Sequence, residues 1–389
     1  MSQPNTPGEG FPRCIVAEEA LREGMQIESA DISVDDKLRL LDALSRTGLH
    51  MMMVGSFVSP KWVPQMAHMD EIMQRFEPHP GVTYTALALN QQGVERRRQY
   101  ADKLAPEPKV GRTGVHLCDV FVQRNAARTQ AQELESIPAR IQHAIDAGFE
   151  EATISINAAW GSNWLGEFSH ERRVELLKLQ YDAWTAAGIP VTKVWIGDPM
   201  SWNMPRPVER LLDHIMETWP SITEYTLHLH DARGTAMLSA YAALRKLKPE
   251  HTFILDTGLG GMGGCPYCGN GRMTRMVPTE DWVNLLHEEG IETGIDLDGL
   301  IECAWLAEEI VGHELWGRVS KAGPRPRGEQ LYAMDMPFIE TDAEAQHFRL
   351  GPDVYAGCRS PYKKTITSPD RDALGLAKDA AAPDPGSAT

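Results

Sequence analysis

Residues 192–257, TKVWIGDPMSWNMPRPVERLLDHIMETWPSITEYTLHLHDARGTAMLSAYAALRKLKPEHTFILDT, decide the fold. They open on a β-prone run, TKVWIGD from Thr192, and pass into RPVERLLDHIMETWP from Arg206, where apolar residues recur at helical spacing. A second β-prone run, EYTLHLH from Glu224, is followed by the helical TAMLSAYAALRKLKP from Thr235 and then by HTFILDT from His251. Toward the N-terminus the same alternation recurs. CIVAE from Cys14, HMMMVGS from His50, TYTALAL from Thr83, TGVHLCDV from Thr113 and EATISIN from Glu151 are further candidate strands. Among them lie VDDKLRLLDALSRTG from Val34, with Leu38, Leu41 and Leu44 at three-residue steps, ELESIPARIQHAIDAG from Glu133 and ERRVELLKLQYDAWTAAG from Glu171. Strand–helix alternation demands parallel strands with helical crossovers. Eight such runs favour an α/β (β/α)8 TIM barrel over an open doubly wound sheet, with chemistry at the C-terminal strand ends.

The chain has 389 residues and a formal charge of −16, with 38 Lys and Arg against 54 Asp and Glu. A protein that tracks a phosphate backbone needs the opposite balance, so nucleic acid is not an expected partner. No run approaches the roughly 18 apolar residues of a membrane helix, and no charged start precedes an apolar leader, so the expectation is a cytoplasmic enzyme. Six cysteines in so long a chain make no disulfide framework and leave thiols free for chemistry. Composition divides the chain into loose termini at 1–11 and 366–389, a barrel over 12–320, and an extension over 321–365 that packs on the barrel or on a neighbouring subunit.

The strongest local signal is Thr226-Leu227-His228-Leu229-His230-Asp231. Residues i and i+2 of a strand face the same side, so His228 and His230 can converge on one ion; the spacing equally fits a hydrogen-bonded histidine pair. After the first strand, Arg22-Glu23 places a cation and a carboxylate side by side at the active face, as either a working pair or a solvated one. After the eighth, Gly258-Leu-Gly-Gly-Met-Gly-Gly-Cys265-Pro-Tyr-Cys268 has the glycine content of a mobile lid, with Cys265 as a proton-donating thiol. Asp198 and Asp119, after strands six and four, either orient a ligand or cap the next helix.

Together these segments resemble the hydroxymethylglutaryl-CoA lyase family of metal-dependent barrel lyases and synthases, in register over roughly residues 14 to 320. REGMQIE at Arg22 resembles the family's RDGLQNE, GSFVSPKWVPQM at Gly55 is close to identical with the lyase segment, and ALNQQG at Ala88 is similar to its third-strand turn. FVQRNAART at Phe121 resembles the stretch containing KNIN; HLHDARGTA at His228 matches HCHDTYGQA; GGMGGCPYCGNG followed by PTED matches GLGGCPY followed by ATED.

The resemblance implies that His228 and His230 bind a divalent metal, that Arg22 stabilises an enolate, and that Cys265 exchanges a proton with substrate carbon. It implies a catalytic Asp198 after strand six and substrate contacts at Gln26 and Asn125. The family's first-strand aspartate is Glu23 here, one methylene longer. Its lid asparagine is displaced by a loop two residues longer, leaving Asn270 the nearest candidate ligand. Oxygen ligands with two imidazoles favour Mg²⁺ or Mn²⁺. The implied partner is a small hydroxy acid or its CoA thioester; a homo-oligomer is expected because subunit assembly is common for soluble enzymes of this size.

Departures from the family bear on substrate. Met53 stands in place of a second-strand glutamate, Ser201-Trp202-Asn203-Met204-Pro205 replaces a small-residue run, and Arg233 replaces a tyrosine. Trp202 and Arg233 are thereby candidate substrate-binding residues, Arg233 as a carboxylate anchor. Besides the lyase reading, these changes leave open a free hydroxy-acid aldolase or citramalate-type synthase, and a non-catalytic metal-binding barrel.

Overall fold

Ser33, Thr129 and Ser169 stand just before amphipathic stretches, and each side chain accepts a hydrogen bond from a backbone N–H in the first turn of the helix that follows. Those helices, Val34–Ser45, Gln130–Asp146 and His170–Ala186, are joined by Pro205–Thr218 and Ala236–Lys246, so every helical stretch read from the sequence forms. In the first of them Leu40 joins Leu41 and Leu44 under cover while Leu38 is half-buried, because a 3.6-residue turn tilts the stripe away from strict three-residue steps.

The computed structural model describes residues 10–375 except Leu89, Pro361 and Thr365. The loose ends expected at 1–11 and 366–389 therefore lie outside the described residues over 1–9 and 376–389. The barrel strands are β1 (Arg13–Glu18), β2 (Met51–Ser56), β3 (Thr83–Leu87), β4 (two pieces, Gly111–Arg112 and Val115–His116), β5 (Ala152–Asn157), β6 (Val191–Asp198), β7 (Glu224–Leu229) and β8 (Thr252–Thr257). All pair in parallel in the order β3-β2-β1-β8-β7-β6-β5-β4. First and last strands are thus neighbours, in register from Arg13 opposite Thr252 to Glu18 opposite Thr257, which is how a barrel joins its ends.

The expected closed barrel is seen as a curled parallel sheet with every strand in barrel order; among the described residues no ladder joins β3 to β4. The weak strand is β4. Ser155 of β5 donates its hydroxyl to Thr113 O at 2.9 Å, and a Cβ at Gly114 would collide with that same hydroxyl oxygen. A side chain thus takes the place of part of the ladder where β4 is interrupted.

Alternate strand residues face outward into the helix layer: Val16, Ile154, Ile196, Leu227 and Leu255 are all buried there with Leu44, Leu177, Trp184, Leu211 and Ile215. The other parity faces the barrel interior. Registers His228–Gly197, His228–Asp256, Asp256–Ala17 and His116–Asn157 place these residues in one layer near the C-terminal mouth. Only glycine fits at 197, since a Cβ would lie 2.6 Å from Asn157 Oδ1 and from a ring carbon of Trp195. Gly197→Ala should therefore cost about 1–3 kcal/mol by overpacking, read as a lower urea midpoint. An unchanged midpoint would show that the layer yields freely.

A second compact unit begins at Arg318 and holds the whole of the segment read as an extension. It is built of short helices, among them Val319–Ala322, Asp342–Ala345 and His347–Leu350, with His347 edge-on to Tyr332 and Tyr355 at 5.0 and 5.8 Å between ring centres. Among the described residues no helix is long and apolar enough to cross a membrane.

Candidate metal centre and lid

β1 ends at Glu18, whose buried carboxylate accepts from Ala20 N at 2.6 Å, Leu259 N at 3.1 Å and the Thr279 hydroxyl. The chain then turns through a single wide helical turn, Ala20–Gly24, in which the N–H groups of Arg22, Glu23 and Gly24 all point to Glu19 O at 3.0, 2.8 and 3.1 Å. Wide turns of this π type recur at functional sites. Here the turn brings two buried carboxylates, Glu19 and Glu23, to one place, and Arg22 pairs with both, at 3.1 Å to Glu19 and directly with Glu23.

At the end of β7 the rings of His228 and His230 lie 5.1 Å apart, centre to centre. His230 Nε2 is 3.7 Å from Glu23 Oε1, and one ligand atom from each of Glu23, His228 and His230 falls within 4.8 Å of the others. Asp256 on β8 holds His228 Nδ1 at 3.0 Å, leaving Nε2 as the ligand atom and fixing the ring. Asp256 and Glu19 also form a second triad with His228. Neither was singled out from sequence. The missing signal for Asp256 is the β7–β8 register, which sets it directly opposite His228.

Charge in this cluster is finely divided. Burial alone would raise the Glu23 carboxyl, but Arg22 and both imidazoles outweigh it and hold the group below its usual range. Burial pushes Glu19 up to about 7, with Arg22 only partly offsetting it. For His228 burial works against the charged ring, yet the Asp256 hydrogen bond and the surrounding carboxylates carry it up to about 9. His230 is pushed down to about 4 by burial and by the charge on His228, so it presents a free lone pair. An anionic carboxylate, the neutral His230 ring and the His228 ring, which would give up its Nε2 proton to an incoming cation while Asp256 keeps the Nδ1 proton, are a donor set that fits a divalent cation. Arg22 Nε is buried beside them with no hydrogen-bond partner among the described residues.

The glycine-rich segment after β8 runs over the mouth. Gly260 adopts φ 61° in the turn Leu259–Gly261, its N–H held by Glu280 at 2.9 Å. Gly263 sits where a Cβ would touch Glu23 Cγ at 3.4 Å, so the lid backbone lies against the aliphatic stem of Glu23. Burial and then the neighbouring Asp281 push the Glu280 carboxyl up to about 8 from the ordinary 4.5. A raised folded-state value means stability that is complete below about 4.5 and lost as pH rises through about 8. Glu280→Gln removes this titration, so between pH 5.5 and 8.5 the parent's thermal midpoint should fall by more than the variant's, scanning both in steps of about half a pH unit. Parallel curves would show that Glu280 is ionised throughout.

The other residues read from sequence are placed as follows. Cys265 is buried with Cys118, Phe121, Ala158, Met200 and Cys268, over the strand ends of β4, β5 and β6, and its N–H donates to Thr274 Oγ1 at 2.9 Å. Asp198 is fully buried and caps the next turn, accepting from Trp202 N, Asn203 N and Asn203 Nδ2 at 3.1, 2.6 and 2.7 Å; burial raises its carboxyl to about 6, those bonds limiting the rise. Arg233 donates to the carbonyls of Met200 and Ser201 at 3.1 and 3.0 Å, and Trp202 Nε1 donates to Asn163. Asn270 is half-buried at the start of the turn Gly271–Thr274, its side chain not capping that turn. Gln26 is half-buried in the turn Met25–Ile27, and Asn125 is exposed near the end of the helix Asp119–Ala126.

Residues 13–306 match the HMGL-like family. The chain is 32% identical over 311 residues to the 3-hydroxy-3-isohexenylglutaryl-CoA/hydroxymethylglutaryl-CoA lyase of Pseudomonas aeruginosa, an alignment covering 77% of this chain and 94% of that one. It is 29% identical over 316 residues to the mitochondrial hydroxymethylglutaryl-CoA lyase of Gallus gallus, covering 81% and 99%. In three dimensions it is similar to an HMG-CoA lyase from Acinetobacter baumannii solved with coenzyme A and 3-methylmalate, with a TM-score of 0.65, 27% identity and coverage of 80% and 96%.

Proposed function

The chain belongs to the HMGL-like family, and on that basis we propose that it is a divalent-metal-dependent carbon–carbon lyase acting on a 3-hydroxyacyl-CoA thioester. Hydroxymethylglutaryl-CoA-lyase-type cleavage is the activity its relatives share. The observation that carries the metal reading is the convergence of Glu23, His228 and His230. Those residues would hold Mg²⁺ or Mn²⁺, which when bound supplies Lewis acidity at the substrate's hydroxyl oxygen.

The rest falls to the protein. The C2–C3 bond breaks, its electron pair passes to the thioester side as an enolate, and the C3 hydroxyl becomes a carbonyl by giving its proton to the Glu19 carboxylate in the same cluster, a proton that balances the one the Cys265 thiol supplies and must regain before the next turnover. Arg22, fixed by Glu19 and Glu23 and with Nε unpartnered, supplies positive charge for the enolate oxygen in a buried site, where such a charge acts strongly. Cys265 gives its thiol proton to C2, releasing a shortened acyl-CoA. Asp198 does its work in this scheme by shaping the 198–203 turn.

A free-acid substrate needs a cationic anchor, and Arg233, the candidate for it, already spends NH1 on two backbone carbonyls. That favours the thioester. A panel of 3-hydroxyacyl-CoA thioesters and the matching free acids, assayed with Mn²⁺, tests the point: thioesters should be cleaved to a shorter acyl-CoA and a carbonyl product. Cleavage of the free acids alone would reverse the substrate assignment.

A further inference from the structure

Asn163, Arg124 and Trp202 lie outside the metal set, yet they converge on the segment that carries Cys265. Asn163 sits in a small hairpin after β5, Gly161–Ser162 against Gly166–Glu167, and its Nδ2 donates to Cys268 O at 3.2 Å. The orientation of that amide is determined, because Trp202 Nε1 stands 3.1 Å from Asn163 Oδ1 and an indole N–H can only donate. Trp202 is itself held in place. Its backbone N–H goes to Asp198, the Arg233 guanidinium lies 5.7 Å from its ring centre, and a Cβ on Gly161 would come within 2.6 Å of the indole.

From the other side Arg124 Nε donates to Tyr267 O at 2.9 Å, its guanidinium 5.3 Å from the ring centre of Trp164. The Cys268 thiol donates to Pro199 O at 3.0 Å. The helix following β4 and the loops following β5 and β6 therefore each place a hydrogen bond on Tyr267 or Cys268, just beyond Cys265. A glycine-rich loop is costly to order, and these bonds act on its backbone and on one thiol where that cost must be met.

We propose that Arg124 and Asn163 are positioning residues that clasp the Cys265 loop down over the barrel mouth, with Trp202 setting the Asn163 amide. The catalytic consequence rests on the lyase reading; the effect on the thiol does not. Trp202 and Arg233 then contribute to the reaction by supporting the clasp.

The test uses the full chain without substrate or added metal. Iodoacetamide labelling of Cys265, separated from Cys268 by fragmentation in the mass spectrometer, is followed in Arg124→Ala, Asn163→Ala and Trp202→Phe. Losing one such bond should raise the Cys265 labelling rate roughly five-fold in each variant, while Arg124→Lys, which keeps a donor, should return to within about twofold of the parent. Trp202→Phe keeps an aromatic side chain but loses the five-membered ring together with its N–H, so it removes the bond to Asn163 and decides the matter if Asn163→Ala does not fold. In turnover with a thioester the same variants should lose kcat with KM little changed. Labelling rates within about twofold of the parent in the folded Arg124 and Trp202 variants would overturn the clasp, as would lost turnover with unchanged labelling. Should no thioester be cleaved at all, the lyase reading fails and the labelling result still decides the clasp.

Discussion

Replacing His230 by alanine is expected to abolish turnover together with Mn²⁺ binding. The three ligand atoms of Glu23, His228 and His230 lie within 4.8 Å of one another, and the His230 imidazole is the one that burial keeps unprotonated. Its removal takes a neutral donor from the set and leaves Glu23 held by Arg22 alone on that side. Loss of an outer partner of a metal ligand typically weakens binding about 10- to 100-fold. Loss of a ligand itself should therefore exceed about 100-fold, whereas Asp256→Asn, which frees only His228 Nδ1, should fall within the outer-partner range. Calorimetric titration with Mn²⁺ reads both directly, independent of substrate. Parental affinity in His230→Ala would remove the metal centre, and most of the mechanism with it.

Cys265→Ala should lower kcat by about 10²- to 10⁴-fold, the usual contribution of a placed proton donor, while KM changes little, because a thiol that protonates carbon contributes in the transition state and not in substrate binding. The buried position of Cys265 among Cys118, Met200 and Cys268 keeps bulk water from taking over the role. Steady-state turnover with the best thioester of the panel measures the effect. Activity within about twofold of the parent would take the thiol out of the reaction.

Much of this site was legible because it depends on short-range periodicity. His228 lies in the strand and His230 is the first residue after its end, two positions on, so their convergence follows from strand-like alternation carried one residue further. Cys265 and its glycines follow a strand end, which marks a lid in a barrel. Asp198 was legible only as an acid at a strand end. Whether it faced a ligand or its own turn depended on where the N–H groups of Trp202 and Asn203 came to lie. Arg233 and Trp202 were read from their chemistry as pocket residues, and the fold gave their donors to the carbonyls of Met200 and Ser201 and to Asn163.

The linear sequence by itself determined the succession of strands and helices, and with it the end of the barrel at which the candidate residues gather, because hydrophobic period and turn residues act over a few positions. Tertiary structure alone decided which carboxylates stand behind the histidines and which loops reach the Cys265 segment. Glu19 and Asp256 meet His228 through the pairing of β1, β8 and β7, and Asn163 meets Cys268 across 105 positions of chain. Contacts at such separations are set by the curl and register of the sheet, which no local run of residues encodes.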